Sequence, residues 1–118
     1  MSQYYNDQTT DDRDELLSHV DENDVEIDGI RREECHDGTT KPWHRNAHVY
    51  ILNSNNELYL TRRSSTKDTS PDLFTVTTAG HVRLGEDPEL GAERELKEEL
   101  CLDVDVHFVK KYKVDYGF

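Results

Sequence analysis

The chain has 118 residues, about one domain's length and too short for two separate cores. Its hydrophobic fraction of 33% is matched by 34% charged residues, and 26 acidic against 14 basic side chains give a formal net charge of −12. Such a surface repels nucleic-acid phosphates and anionic membranes, which excludes bulk polyanion binding but admits a phosphorylated small molecule if metal ions bridge the like charges.

Residues 1–15 are rich in Asp, Asn, Gln and Thr and are expected to form a disordered acidic lead-in, with residues 16–118 as the single folded domain. No basic stretch followed by an apolar core opens the chain, and no apolar run approaches the roughly 20 residues that span a bilayer. Cys35 and Cys101 lie far apart without a CxxC pairing, so reduced thiols in a soluble, cytoplasmic protein are the expectation.

The stretch Leu16 to Ile30 predicts a hairpin, with Val20, Val25 and Ile27 as strand residues around the turn Asp21-Glu22-Asn23-Asp24. Residues 31–35 fit a short helical turn ending near Gly38. After Pro42-Trp43-His44 a strand is expected over His48 to Leu52, then a turn at Asn53-Ser54-Asn55-Asn56 and a return strand over Glu57 to Arg63. A polar loop from Ser64 to Pro71 precedes a short extended segment, Leu73 to Thr78. Asp87 as N-cap and Pro88 in the first helical position predict a helix running to about Leu100. Beyond it, Val104, Val106 and Phe108 alternate with Asp105 and His107 as in a strand, and Tyr112, Val114 and Tyr116 continue that pattern. Strands around one central helix argue for an α/β or α+β arrangement with a mixed sheet.

At 100° per residue, Glu95, Glu98 and Glu99 share one face of the predicted helix, beside an apolar stripe of Ala92, Leu96 and Leu100. Carboxylates at i, i+3 and i+4 repel one another by a few tenths of a kcal/mol per pair. A helix that keeps them together suits a hard divalent cation, Mg²⁺ or Mn²⁺ rather than zinc. A solvated acidic face would account for the glutamates alone, but the wider spacing points elsewhere. Gly80, five residues, Glu86, seven residues and then Arg94-Glu95-Leu96-Lys97-Glu98-Glu99-Leu100-Cys101-Leu102 resembles the Nudix box. Of the nine defined positions of that pattern the chain meets eight, a match expected by chance on the order of once in ten million starting points. The exception is Cys101, where the family usually has glycine. It lies just past the helix, removes no ligand and is read as structural rather than nucleophilic.

The resemblance implies an α/β; Nudix α/β/α sandwich with a mixed β-sheet. The family fold normally continues with further strands and a closing helix, so the domain is expected to be incomplete at its C-terminus. It implies that Glu95, Glu98 and Glu99 ligate Mg²⁺ (or Mn²⁺), with the Gly80 carbonyl completing the shell and Arg94 paired to Glu86. The implied activity is hydrolysis of a nucleoside diphosphate derivative or another organic diphosphate, with the general base left open. The implied partner is a small-molecule diphosphate, with no nucleic-acid polymer and no membrane; a homodimer is left open.

Outside the box, over about residues 17–110, the chain is similar to the isopentenyl-diphosphate isomerase branch. The similarity rests on Arg31-Arg32-Glu33-Glu34-Cys35-His36, Trp43-His44-Arg45 and Leu60 to Lys67. By that resemblance Arg63 and Lys67 would grip the diphosphate, as a planar guanidinium and a flexible ammonium do well. His36, His44 and His81 match the isomerase's metal-binding histidines. The isomerase, however, keeps a catalytic cysteine immediately before its Gly-His pair, and here Ala79 precedes Gly80-His81. A methyl group carries no proton, which favours the hydrolase reading over an isomerase, and the intact Arg94-Glu95 and Glu98-Glu99 pairs favour it over a catalytically silent, ligand-binding Nudix module.

Overall fold

The structure is a computed structural model, and it describes residues 12, 14–37, 39, 42–67 and 70–114. Most of the expected lead-in, Gly38 at the end of the first helical turn, and Tyr116 lie outside the described residues.

The first elements follow the local sequence. Strand β1 (Leu16–Val20) and strand β2 (Glu26–Arg31) form an antiparallel hairpin, and helix α1 (Arg32–Cys35) follows directly. The connecting turn is fastened by Asp21, whose Oδ1 accepts from the backbone N–H of Asn23 and Val25 at 2.8 and 3.0 Å. Strand β3 (Asn46–Val49) pairs antiparallel with β6 (Thr78–His81), and the short strands β4 (Thr61–Arg62) and β5 (Phe74–Thr75) form a third pair. Helix α2 (Pro88–Leu100) packs on β3 and β6. Its Ala92 and Leu96 meet Val49, with Ala47, Ile51, Leu100 and Val106 around them. A second buried group, Leu17, Val20 and Val82, lies where β1 runs beside residues 82–84.

Three expectations are corrected. The strand placed at His48–Leu52 begins two residues earlier and ends at Val49. Beyond it, a side chain replaces the ladder, because Thr77 Oγ1 accepts from Ile51 N–H at 2.9 Å and donates to the Tyr59 carbonyl at 2.6 Å. The return strand keeps only the Leu52–Leu58 bridge and β4, around a turn at Asn53–Asn56 that forms where expected. Residues 101–114 adopt no strand. Only Val106 of that alternating set is half-buried, whereas Phe108 is 67% and Val109 90% exposed, and no strand among the described residues pairs with them.

The fold expectation holds in its coarse part, since the described residues form a mixed α/β arrangement with helix α2 against small sheets. Every ladder among them is antiparallel and two-stranded. The pairs are knitted by single bonds: Ser18 N–H donates to the Val82 carbonyl, Val82 N–H to Arg45, and Arg45 N–H to Ser18, at 2.9 to 3.2 Å. No described helix is long and apolar enough to cross a membrane.

Candidate metal and active site

Helix α2 organises the site. Asp87 Oδ1 accepts from the N–H groups of Glu89 and Leu90 at 2.9 and 3.4 Å, capping the first turn, and Pro88 stands where no N–H is needed. The helix stops at Cys101, which adopts the left-handed conformation (φ 56°), with Cys101 N–H bonded to the Lys97 carbonyl and Leu102 N–H to that of Leu96. With Ala92 and Leu96 facing the core, the neighbouring face carries Arg94, Glu95 and Glu98 toward the loop that follows β6.

Arg94 is the hub of that face. Its Nε and one terminal nitrogen grip both oxygens of Glu86 at 2.8 and 3.0 Å. The same terminal nitrogen donates to the His81 carbonyl at 3.1 Å, and the other donates to Glu95 and Glu98 at 3.0 and 3.1 Å. The loop from His81 to Glu86 is thereby tied to the helix. The hydrogen bonds from Arg94 hold the Glu86 carboxyl below its ordinary range, and the Arg94 guanidinium is shifted further toward its charged form. Burial pushes the Glu95 carboxyl up; Arg94 opposes this, while the charges of Glu98 and Glu99 add to it.

Two glycines make this approach possible. A Cβ at Gly80 would collide with the Glu95 carboxyl, so the β6 backbone and that side chain touch only because residue 80 has none. At Gly91 a Cβ would lie 2.8 Å from Glu86 Oε1, so this mid-helix glycine admits the clamped carboxylate. Gly91 was missed by the sequence reading, although a glycine inside a helical pattern is itself a signal of close packing.

The glutamates differ in setting. Glu95 is largely enclosed, with a side-chain exposure of 13%, whereas Glu98 stands at 50% and Glu99 is exposed. The three do not converge on one point, since the Arg94 guanidinium sits between Glu95 and Glu98. Among the described residues, the ligand atoms that do converge belong to His36, His44 and His81, within 4.8 Å of one another. His36 follows α1, His44 precedes β3 and His81 ends β6; the ring nitrogens Nε2 of His36 and His81 are 3.1 Å apart. His44 donates through Nδ1 to the Pro42 carbonyl at 3.1 Å, leaving Nε2 as its lone-pair nitrogen, and burial shifts the ring toward its neutral form. Neutral imidazole is the ligating form.

Arg63 and Lys67 lie just beyond β4 and line the same open cleft as Glu95, Glu98, Glu99, His36, His44 and His81. The backbone bonds Arg63 N–H to Leu73, Asp72 N–H to Arg63 and Lys67 N–H to Ser64 hold that loop. Ala79 lies opposite His48 in the β3–β6 ladder, so the two side chains share a face, and the Tyr112 hydroxyl is 3.2 Å from His48 Nδ1. The sequence reading did not single out His48, nor Glu15, Arg32 and Arg83, whose ion pairs link segments far apart in the chain.

The Nudix domain profile matches residues 42–118. The chain is 37% identical over 92 residues to an uncharacterised Nudix hydrolase of Clostridium acetobutylicum, covering 75% of this chain and 43% of the relative. It is 36% identical to an uncharacterised Nudix hydrolase of a Nostoc species, covering 78% and 54%. It is 31% identical over 99 residues to isopentenyl-diphosphate Delta-isomerase 2 of Photorhabdus laumondii, covering 84% of this chain and 55% of the relative. The chain thus spans about half the length of the curated relatives it matches.

Proposed function

The chain belongs to the Nudix family, and from that premise we propose that it is part of a Mg²⁺- or Mn²⁺-dependent hydrolase of a small organic diphosphate. The observation that carries the proposal is the bidentate Arg94–Glu86 clamp, with Glu95 beside the Gly80 backbone and Glu98 on the same guanidinium. Carboxylate oxygens of this kind, with a backbone carbonyl nearby, fit a hard divalent cation. In this reading Glu95, Glu98 and Glu99, which do not converge while Arg94 bonds both Glu95 and Glu98, would turn onto the ion together with the Gly80 carbonyl, while the Arg94–Glu86 clamp fixes the helix against the loop.

A divalent cation held by these residues would supply Lewis-acid polarisation of the diphosphate and activation of a water. The chain's own residues supply the grip: Arg63 offers a planar fork and Lys67 a point charge to the phosphate oxygens across the cleft. The test is Glu98→Gln combined with Glu99→Gln, which preserves shape and removes two charges. Phosphate release from a panel of nucleoside and isoprenoid diphosphates should lose its Mg²⁺ dependence and fall by two orders of magnitude or more, on the order of a lost electrostatic element. Full Mg²⁺-dependent turnover in the double variant would end this assignment.

A second reading is favoured by a separate observation, the convergence of His36, His44 and His81. Imidazoles at that spacing fit a transition metal, and one relative similar over most of this chain bears an isomerase name. Ala79 weighs against that chemistry, so the histidine cluster is assigned here to a hydrolase.

A further inference from the structure

We infer that Glu15 is a positioning residue of the candidate site, holding Arg83 back from close contact with the box carboxylate Glu98 and holding Arg32 against the histidine cluster. Its two oxygens receive two arginines from distant segments: Arg83 Nε donates to Oε1 at 3.0 Å and Arg32 donates to Oε2 at 3.4 Å. Each arginine reaches one half of the site. Another nitrogen of Arg83 lies 3.8 Å from Glu98 Oε1, and the Arg32 nitrogen that meets Glu15 also lies 2.9 Å from His81 Nδ1. A chain of polar side chains therefore runs from Glu98 through Arg83, Glu15, Arg32 and His81 to His36.

The backbone builds this junction. Leu84 N–H donates to the Leu16 carbonyl at 3.2 Å, Arg32 N–H to the Glu15 carbonyl at 2.9 Å, and Leu17 bridges to Arg83. The start of β1, the β2–α1 junction and the end of β6 thus meet at Glu15. Arg32 is 8% exposed, and a guanidinium so enclosed needs a carboxylate, which Glu15 provides. A purely structural pair would end there. Here both arginines also reach side chains of the candidate site, and since arginine carries no lone pair, His81 Nδ1 accepts from Arg32. With Nδ1 accepting, the ring N–H of His81 is on Nε2, which points at His36 Nε2 and donates to it at 3.1 Å.

The inference rests on the hydrolase reading in one respect, that Glu98 is a cation ligand. Without the Glu15 charge, Arg83 is released to Glu98 and competes with a divalent cation for it. Glu15→Gln should therefore weaken Mn²⁺ binding, read as free Mn²⁺ by electron paramagnetic resonance, by about tenfold, the lower end for partners that orient ligands. Adding Arg83→Gln should restore the affinity, because the competitor is gone; a folding defect would not be reversed in this way. Independently, the ¹⁵N resonance of His81 Nδ1 should move toward that of an unbonded ring nitrogen in Glu15→Gln. If the protein as it stands binds no Mn²⁺, the hydrolase reading fails while the His81 resonance still judges Glu15. Should Glu15→Gln not fold, Glu15→Asp, which keeps the charge but shortens the reach, must show the His81 displacement. Unchanged Mn²⁺ affinity, a loss that Arg83→Gln does not reverse, or an unmoved His81 resonance would each overturn the inference.

Discussion

The Arg94–Glu86 pair makes a prediction about acid. The hydrogen bond from Arg94 holds the Glu86 carboxyl below its ordinary value of 4.5, with backbone and other charges adding to it against burial. A depressed carboxyl stabilises the fold above the unfolded value, and that contribution drains away as pH falls through the folded one. Glu86→Gln should cost about 1–2 kcal/mol near neutral pH, discounted because the pair still meets solvent. It should also flatten the acid limb of the stability curve below about pH 4.5. Urea midpoints measured from pH 7 to pH 3 check both; an acid limb as steep in the variant would assign the pH dependence to other carboxyls. Ala79 makes a prediction about chemistry. Allylic isomerisation requires one proton delivered and another removed, and losing one acid–base group costs about 10² to 10⁴ in rate. Interconversion of isopentenyl and dimethylallyl diphosphate should stay at background in a sensitive isotope-exchange assay. Turnover at an ordinary enzymatic rate would mean that a neighbour such as His48, opposite Ala79 in the ladder, carries the proton.

Helix α2 was legible at element scale because its signals are local. Asp87, Pro88 and the apolar spacing of Ala92, Leu96 and Leu100 lie within a few turns of one another, and the helix forms over Pro88–Leu100 as they require. Strands are decided elsewhere in the chain. The alternation of Val104, Val106 and Phe108 expresses a preference, but a ladder needs a partner, and only Val106 finds the core. The exit of the chain from β3 turns on the Thr77 hydroxyl, 26 residues from the N–H it accepts, which no local pattern announces. For the candidate site, the helical face was readable from spacing, and the Arg94–Glu86 pairing followed from the resemblance to the Nudix box. The meeting of Glu15 with Arg83, 68 residues apart, was not. Cys101 supplies this scale's prediction. A non-glycine residue in the left-handed region costs roughly 1–2 kcal/mol, and cysteine holds it at φ 56°. Cys101→Gly should raise stability by about 0.5–1 kcal/mol after the entropy glycine adds to the unfolded chain. A denaturant midpoint that falls would show that the thiol makes a stabilising contact outweighing the strain.

At the scale of the whole molecule, the described residues form three antiparallel pairs and one long helix, in a chain with a formal charge of −12. Much of the repulsion behind that number is spread over a solvated surface, where salt screens it within about 10 Å at ordinary ionic strength. The acidic face of α2 is different in kind. There Glu95 is enclosed, Glu98 stands beside it, and Glu99 contributes further negative charge. Screening relieves the first sort of repulsion regardless of which cation supplies it, whereas a bound ion relieves the second. Mn²⁺ or Mg²⁺ should therefore stabilise the fold beyond NaCl of equal ionic strength. At about ten times the dissociation constant the gain is roughly 1.4 kcal/mol, or a few degrees in Tm, on the order of 5 °C for a chain of this size. The increment belongs to the helix face, so it should vanish in the Glu98→Gln, Glu99→Gln double variant while the general salt effect persists. Thermal melts of both proteins in matched NaCl, MgCl₂ and MnCl₂ measure the two terms separately. An equal divalent increment in the double variant would place the bound ion elsewhere, with the cluster of His36, His44 and His81 the next place to look.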